Sequence, residues 1–268
     1  SKYGTGLLIS GLIHTIYQNV YQVIIGKLFS MEQLGYYTRA QQFSNLASNN
    51  VRVAIQRVAF PVLCLSQDDD RKLYYQLRKF LRLTAFITFP LMLGMIALAG
   101  PLIRTILTDK CSSSIVYLQI LSVAAMFIPL HALNISILHA KGLTRLFLKF
   151  EIYNKIIISV MLLLTFSFGV KALVSSHIAI SFITYFINAS YPKKALNYGA
   201  LNQFKDLFSI FSISVVMMTT IYLSSLLFNS DLLKLTVGII VGPISYYFLS
   251  RIFKFSELND IILMIKKK

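Results

Sequence analysis

The chain has no tryptophan, two cysteines and ten acidic residues in 268. Charged residues make up 13% of it, where a soluble domain carries about 25%. With 56% hydrophobic residues and a mean hydropathy of +0.67, the chain reads as an integral membrane protein. Cys64 and Cys111 lie in different segments, on opposite sides of the topology expected below, which argues against a disulfide. Neither has a companion at metal-ligand spacing. His14, His131, His139 and His177 are spread over three segments, with no close carboxylate, no metal-ligand spacing and no nucleophile arrangement. No catalytic group, metal or cofactor is therefore expected. The net charge is +16, yet no nucleic-acid motif accompanies it, so no nucleic-acid partner is expected. No basic leader with a cleavage site opens the chain. It begins Ser1-Lys2-Tyr3 without a methionine, and the expectation is a fragment with an upstream part missing.

What is present is a series of apolar runs. Eight candidate spans can be drawn: Gly6–Phe29, Tyr36–Leu63, Phe80–Leu107, Ile115–Ala140, Phe150–Gly169, Val170–Tyr191, Leu207–Phe228 and Leu235–Phe253. Each is near the roughly 20 residues that a tilted helix needs to cross a bilayer. The alternating pattern of a barrel is absent, so an all-α integral membrane protein of about eight transmembrane helices is expected. The boundary at Gly169-Val170-Lys171 is soft. Basic residues cluster in every second connection, around Arg71–Arg82, Lys141–Lys155, Lys193–Lys205 and Arg251–Lys268, while the connections between carry one or two each. That asymmetry predicts that both ends are cytoplasmic and that the number of spans is even. Tyr36, Tyr37, Tyr74, Tyr75, Tyr246 and Tyr247 fall near the expected interfaces and read as belt residues. Pro90, Pro129 and Pro243 fall inside spans, where each removes a helix hydrogen bond and favours a kink, for bending or for fixed packing. The tail Ser256–Lys268 is weakly amphipathic, which fits either a helix on anionic headgroups or a solvated charge run.

The second span is the unusual one. At 100° per residue, Arg39, Gln42, Asn45, Asn49, Arg52, Gln56 and Arg57 fall within one half of the helix. Ala40, Phe43, Ala47, Val51, Ala54, Ile55 and Val58 occupy the other. Arg39 to Arg57 rises about 27 Å, close to the hydrocarbon thickness. The first span has a polar arc too, of Ser10, His14, Thr15, Gln18, Asn19 and Gln22. Two such helices in succession point to a hydrated cavity, or to amides that join neighbouring helices. Arginine tips the balance, because at the bilayer centre it costs about 2.5–3.5 kcal/mol. Arg39 and Arg57 lie near the span ends and can snorkel, whereas Arg52 is deeper. The ten acids all lie in loops, tails or span ends. No mid-membrane carboxylate answers the arginines, so an anionic ligand is expected, for which guanidinium forks suit phosphate oxygens. The candidate cavity residues are Arg39, Arg52, Arg57, Gln18, Gln22, Asn45, Asn49 and His14.

Five stretches carry a family resemblance. They are Ile24-Ile25-Gly26-Lys27-Leu28 running on to Leu34-Gly35-Tyr36-Tyr37-Thr38-Arg39-Ala40; Gln56-Arg57-Val58-Ala59-Phe60-Pro61; Phe89-Pro90-Leu91-Met92 with Ala99-Gly100-Pro101-Leu102; Tyr117-Leu118-Gln119-Ile120-Leu121; and Phe147-Leu148-Lys149-Phe150-Glu151-Ile152. The chain resembles the C-terminal half of polysaccharide-biosynthesis/export proteins. These are the Wzx-type flippases of O-antigen, colanic acid or teichuronic acid units, in the multidrug/oligosaccharidyl-lipid/polysaccharide (MOP) superfamily. It departs from them at Thr108-Asp109-Lys110-Cys111, where the family usually has a glycine and then Lys-Trp. The resemblance implies two helical lobes around a cavity, like the C-terminal lobe of a MATE-like transporter. Residues 1–191 would form a six-helix bundle of that lobe and 192–268 a terminal helix pair with a basic tail, the N-terminal lobe being absent. The implied substrate is a polyprenyl-pyrophosphate-linked oligosaccharide, and the implied location is the bacterial cytoplasmic (inner) membrane. The implied partners are that lipid-linked oligosaccharide, membrane lipids, the missing lobe and a polysaccharide polymerase. The alternatives are a MATE-like drug or metabolite exporter, which predicts membrane carboxylates, and a membrane-embedded polymerase, which predicts a long external loop or a His/Asp pair.

Overall fold

The computed structural model describes Tyr17, residues 19–107 and residues 109–266; among them every regular element is helical, with no strand. The physical reason is that an apolar segment of membrane length satisfies its own backbone only as a helix. Helix α1 covers residues 19–28 as far as it is described. Then follow α2 (Met31–Cys64), α3 (Asp70–Ala97), α4 (Ala99–Leu107), α5 (Ser113–Ala125) and α6 (Ile128–Ala140). The remainder is α7 (Thr144–Thr165), α8 (Val170–Asn188), α9 (Ser190–Leu196), α10 (Ala200–Ser225), α11 (Asp231–Ile252) and α12 (Ser256–Lys266). Two starts are capped by side chains: Ser30 accepts the Gln33 N–H at 3.2 Å and Asp69 the Lys72 N–H at 3.0 Å, each satisfying a donor that the first turn leaves orphaned.

Five stretches are long and apolar enough to cross a membrane: Asp70–Ala97, Ser113–Ala140, Val170–Leu196, Ala200–Ser225 and Asp231–Ile252. The chain is a multi-pass membrane protein. Three expected spans fall outside that group for separate reasons. The first begins outside the described residues. Helix α2 is long enough, at 34 residues, but its polar stripe lowers its hydropathy. Helix α7 carries Arg145, Lys149, Glu151 and Lys155 within its first twelve residues.

Proline explains where expected spans divide. Pro129 sits in the first turn of α6, so Ile115–Ala140 is a helix pair broken at Met126-Phe127 rather than one kinked helix. Pro101 likewise lies in the first turn of α4, just past the break at Leu98. Pro90 and Pro243 are carried inside continuous α3 and α11. The soft boundary after α7 is a true turn, with Gly169 at φ +89°, a conformation that favours glycine.

Helix α3 is the axis. It packs against α2, α5 and α6 on one side and α10 on the other, and α11 lies outermost on α10 and α4. Burial follows that order, with 72% of the Ser113–Ala140 span enclosed and 11% of the α11 span. The exposed Ile239, Ile240, Ile244 and Phe248 of α11 form a lipid-type surface. On its inner side α11 approaches closely at glycine: a Cβ on Gly242 would come within 2.9 Å of Ile221, and one on Gly238 would collide with Leu98. Two core clusters fill the bundle. One joins Leu73, Leu77, Phe80, Leu133 and Ile210 at the end that carries the basic connections. The other joins Ile25, Tyr37, Ile103, Leu118 and Leu173 toward the opposite end.

Candidate functional site

Helix α2 presents two faces. The packed face is a line of small residues, Ala40, Ser44, Ser48 and Ala59, all buried, which lets α5 and α6 approach closely. Ser48 returns its hydroxyl to the Ser44 carbonyl at 3.0 Å. The other face is open along its length. Arg39, Gln42, Asn50 and Arg57 are exposed on it, interspersed with Leu46, Val53, Val58 and Phe60. Ala54 and Val58, expected on the apolar half, therefore lie exposed, because neighbours cover α2 from one side.

The expected polar stripe divides into two ranks. Arg39, Gln42 and Arg57 are exposed, while Asn45, Asn49, Arg52 and Gln56 are half-buried at its edge. Arg52 donates from Nε to Asn49 Oδ1 and from Nη1 to Gln56 Oε1, both at 3.2 Å. Arg39 donates from Nη1 to Gln42 Oε1 at 3.2 Å. Arg57 and Gln56 border an open recess of about 350 Å³ with Phe60 and with Ser136 and His139 of α6. Among the described residues, none of the five ion pairs includes Arg39, Arg52 or Arg57. The charges of Arg39 and Arg52 meet neutral amides, which fix the guanidinium orientation without cancelling the charge.

The remaining candidates separate. Asn45 borders a small polar cavity with Gln41, Ser44, His177 and Ser181. Gln22 is turned to α2, its Nε2 donating to Gln41 Oε1 at 2.8 Å. His14 and Gln18 lie outside the described residues. Sequence reasoning missed Gln41, Tyr37 and His177. Tyr37 is fully buried and its hydroxyl lies 3.2 Å from His177 Nε2, so its reading as a belt residue is corrected. The reason is that His177, 140 positions away, offers the hydroxyl a buried partner. Tyr246 is corrected likewise; it is buried and donates to the Phe86 carbonyl at 3.0 Å. Gln41 stands one residue off the stripe, and no periodicity joins it to His177.

At the basic end the arginines are treated differently. Arg78 forms a two-pronged pair with Asp206, at 2.8 and 2.6 Å. Arg82 pairs with the buried Glu257 and donates to the Asp206 carbonyl at 2.9 Å. Lys79 meets Asp260 at 3.0 Å. Tyr198, in the connection between α9 and α10, donates to Asp206 at 2.8 Å. Burial first, and then that carboxylate, hold its phenol well above the ordinary tyrosine range. Helix α12 is thus fastened to α3 by charge, and Leu258 and Ile261 pack on the core. Among the described residues, no three His, Cys, Asp or Glu side chains gather as a metal site.

Residues 1–116 match the family model described as polysaccharide biosynthesis protein. The resemblance read from the sequence is borne out. The chain is 24% identical over 141 residues to the teichuronic acid biosynthesis protein TuaB of Bacillus subtilis (strain 168), covering 53% of this chain and 29% of that protein. It is 24% identical over 153 residues to the lipopolysaccharide biosynthesis protein WzxC of Escherichia coli (strain K12), covering 57% and 31% respectively. Among solved structures it is similar to the lipid II flippase MurJ in an inward closed conformation, with a TM-score of 0.75 and 19% identity over 96% of this chain. The fold is therefore that of part of a MurJ-like protein. The chain spans about half the length of that flippase, 54%, and its matched stretches span about three tenths of the two curated relatives.

Proposed function

We propose that the chain is the C-terminal half of a flippase that carries polyprenyl-pyrophosphate-linked oligosaccharide units across the cytoplasmic membrane for surface polysaccharide. One observation carries the reading: the open face of α2 bears Arg39 and Arg52 with amide partners, and Arg57 beside them, with no acid paired to any of the three among the described residues. A cationic surface at membrane depth, left without a counter-charge, suits an anionic headgroup. The diphosphate would meet the guanidinium groups, Asn45 and Asn49 would hydrogen-bond sugar hydroxyls, and the polyprenyl tail would stay among lipids. The face is long and partly apolar, which fits a second helical lobe closing over it. Rocking of the two lobes would then expose the site to either side. Similarity to proteins of teichuronic acid and lipopolysaccharide biosynthesis supports a lipid-linked glycan as the cargo.

The test uses the full-length protein in vesicles, with a fluorescent polyprenyl-diphosphate oligosaccharide as the probe. Arg52→Ala should slow its translocation by about tenfold or more, the loss of one charge-assisted contact. Translocation unchanged in Arg52→Ala would remove that residue from the site.

A further inference from the structure

A polar cavity of about 80 Å³ lies between α2 and α8, bordered by Gln41, Ser44, Asn45, His177 and Ser181. It has room for about two waters and none for a sugar ring. A hydrogen-bonded chain leads into it in one direction. Gln22 donates to Gln41 at 2.8 Å, and Gln41 Nε2 donates to the Tyr37 hydroxyl oxygen at 3.0 Å. The same hydroxyl lies 3.2 Å from His177 Nε2, where either atom can be the donor. A neutral His177 can meet it from either tautomer, Nε2 accepting or donating.

Among the described residues, the surroundings of His177 hold no counter-charge. From α1, the Tyr21 ring lies 4.1 Å away between centroids, and its hydroxyl is 2.7 Å from that of Ser176. From α2 comes Tyr37. From α5 and the start of α6 the cavity receives only Leu121, Ala124, Ala125 and Ile128. Helix α7 brings Lys155 and Ser159, both directed at Tyr17, at 5.8 Å from its ring centroid and 3.2 Å from its hydroxyl. The lysines of α9 lie beyond the far end of α8. No carboxylate is among these groups, so a charged imidazole here needs an anion from elsewhere. Asn45 belongs both to this cavity and to the arginine stripe, so an anion on the stripe would stand about one helix width from the ring.

We infer that His177 is a proton-binding site, filled from water when an anionic headgroup occupies the α2 stripe. The inference rests on the function proposed above. The only bond formed is the second ring N–H, and the bond broken is an O–H of hydronium relayed from bulk solvent through the cavity, which leaves neutral water behind. Its consequence is mechanical. A charged imidazole carries a hydrogen on both ring nitrogens, so Nε2 can then only donate, and Tyr37 is confined to accepting from both His177 and Gln41. The Tyr37 hydrogen must find its acceptor elsewhere, and the contact joining α1, α2 and α8 is fixed in one pattern. Proton and headgroup reinforce each other, because each site's coupling to the other is reciprocal.

The test is magnetic resonance of the full-length protein in nanodiscs, with isotope-labelled histidine rings, near the ordinary titration range of about pH 6. The probe is a polyprenyl diphosphate, whose binding is measured in the same sample. The His177 signal, assigned by its loss in His177→Gln, should change from the neutral to the imidazolium pattern when the lipid binds. Lipid binding should tighten by about tenfold on acidification, and the dependence should vanish in His177→Gln. Should that variant not fold, Asn45→Asp, which sets a carboxylate in the cavity, should give the imidazolium signal without lipid. Lipid binding with His177 neutral throughout overturns this inference alone, as does a neutral ring in Asn45→Asp. No binding of the diphosphate overturns the anion reading and this inference with it.

Discussion

Arginines occupy two regions of this molecule in opposite ways. On α3, at the basic end, Arg78 and Arg82 are each matched to an acid delivered from far along the chain, Asp206 and Glu257. On the open face of α2, Arg39 and Arg52 are matched to amides, and among the described residues none of Arg39, Arg52 and Arg57 is matched to an acid. The same residue type thus serves two purposes. A guanidinium paired with a carboxylate is neutralised, and it fixes one helix to another. A guanidinium held by amides keeps its charge for something that arrives. If this difference is real, removal of an arginine from one region should cost stability, and from the other function.

The largest expected effect is at the latch. The Glu257 side chain is 4% exposed, so Arg82→Ala leaves a buried carboxylate without its charged partner, a loss of about 3–5 kcal/mol. Thermal unfolding of the full-length protein in detergent should show it as a marked fall in melting temperature. An unchanged melting curve would place Arg82 in the same class as the α2 arginines and dissolve the comparison. A smaller effect is expected at the periphery, where Gly238→Ala forces a methyl against Leu98. Overpacking of that kind costs about 1–3 kcal/mol, again read by melting, and a neutral result would mean that α11 shifts freely on α10. Arg52→Ala should alter stability by less than about 1 kcal/mol, since it gives up two bonds to neutral amides from a half-buried position. The smallest change is expected for Arg39→Gln, within about 0.5 kcal/mol at an exposed site, so any large fall in its melting temperature would reveal a structural role.

The sequence made one region far more legible than the other. The α2 stripe shows because its spacing repeats with the helix, and periodicity is local information. The all-helical membrane fold shows for the same reason. The latch does not, because Arg82 and Glu257 are 175 residues apart and each looks like an ordinary end charge. Even the tail that carries Glu257 reads as a weak amphipath, when Phe255, Leu258 and Ile261 in fact seat it on the core. Gln22 shows the opposite failure. Its place on the polar arc is legible, but its amide is engaged by Gln41, a partner that the arc does not predict. The splitting of Ile115–Ala140 at Pro129 was written in the residue type and not in the hydropathy, because proline in a first turn starts a helix where in mid-span it bends one.

The central claim is that the α2 arginines keep their charge for a diphosphate. Its most direct test compares the affinity of the full-length protein in nanodiscs for a polyprenyl diphosphate and for the uncharged polyprenol of the same length. Wild type should prefer the diphosphate by about tenfold or more, and a variant with Arg39, Arg52 and Arg57 all replaced by Gln should lose that preference while melting normally. A triple variant that still discriminated between the two lipids as wild type does would contradict the account.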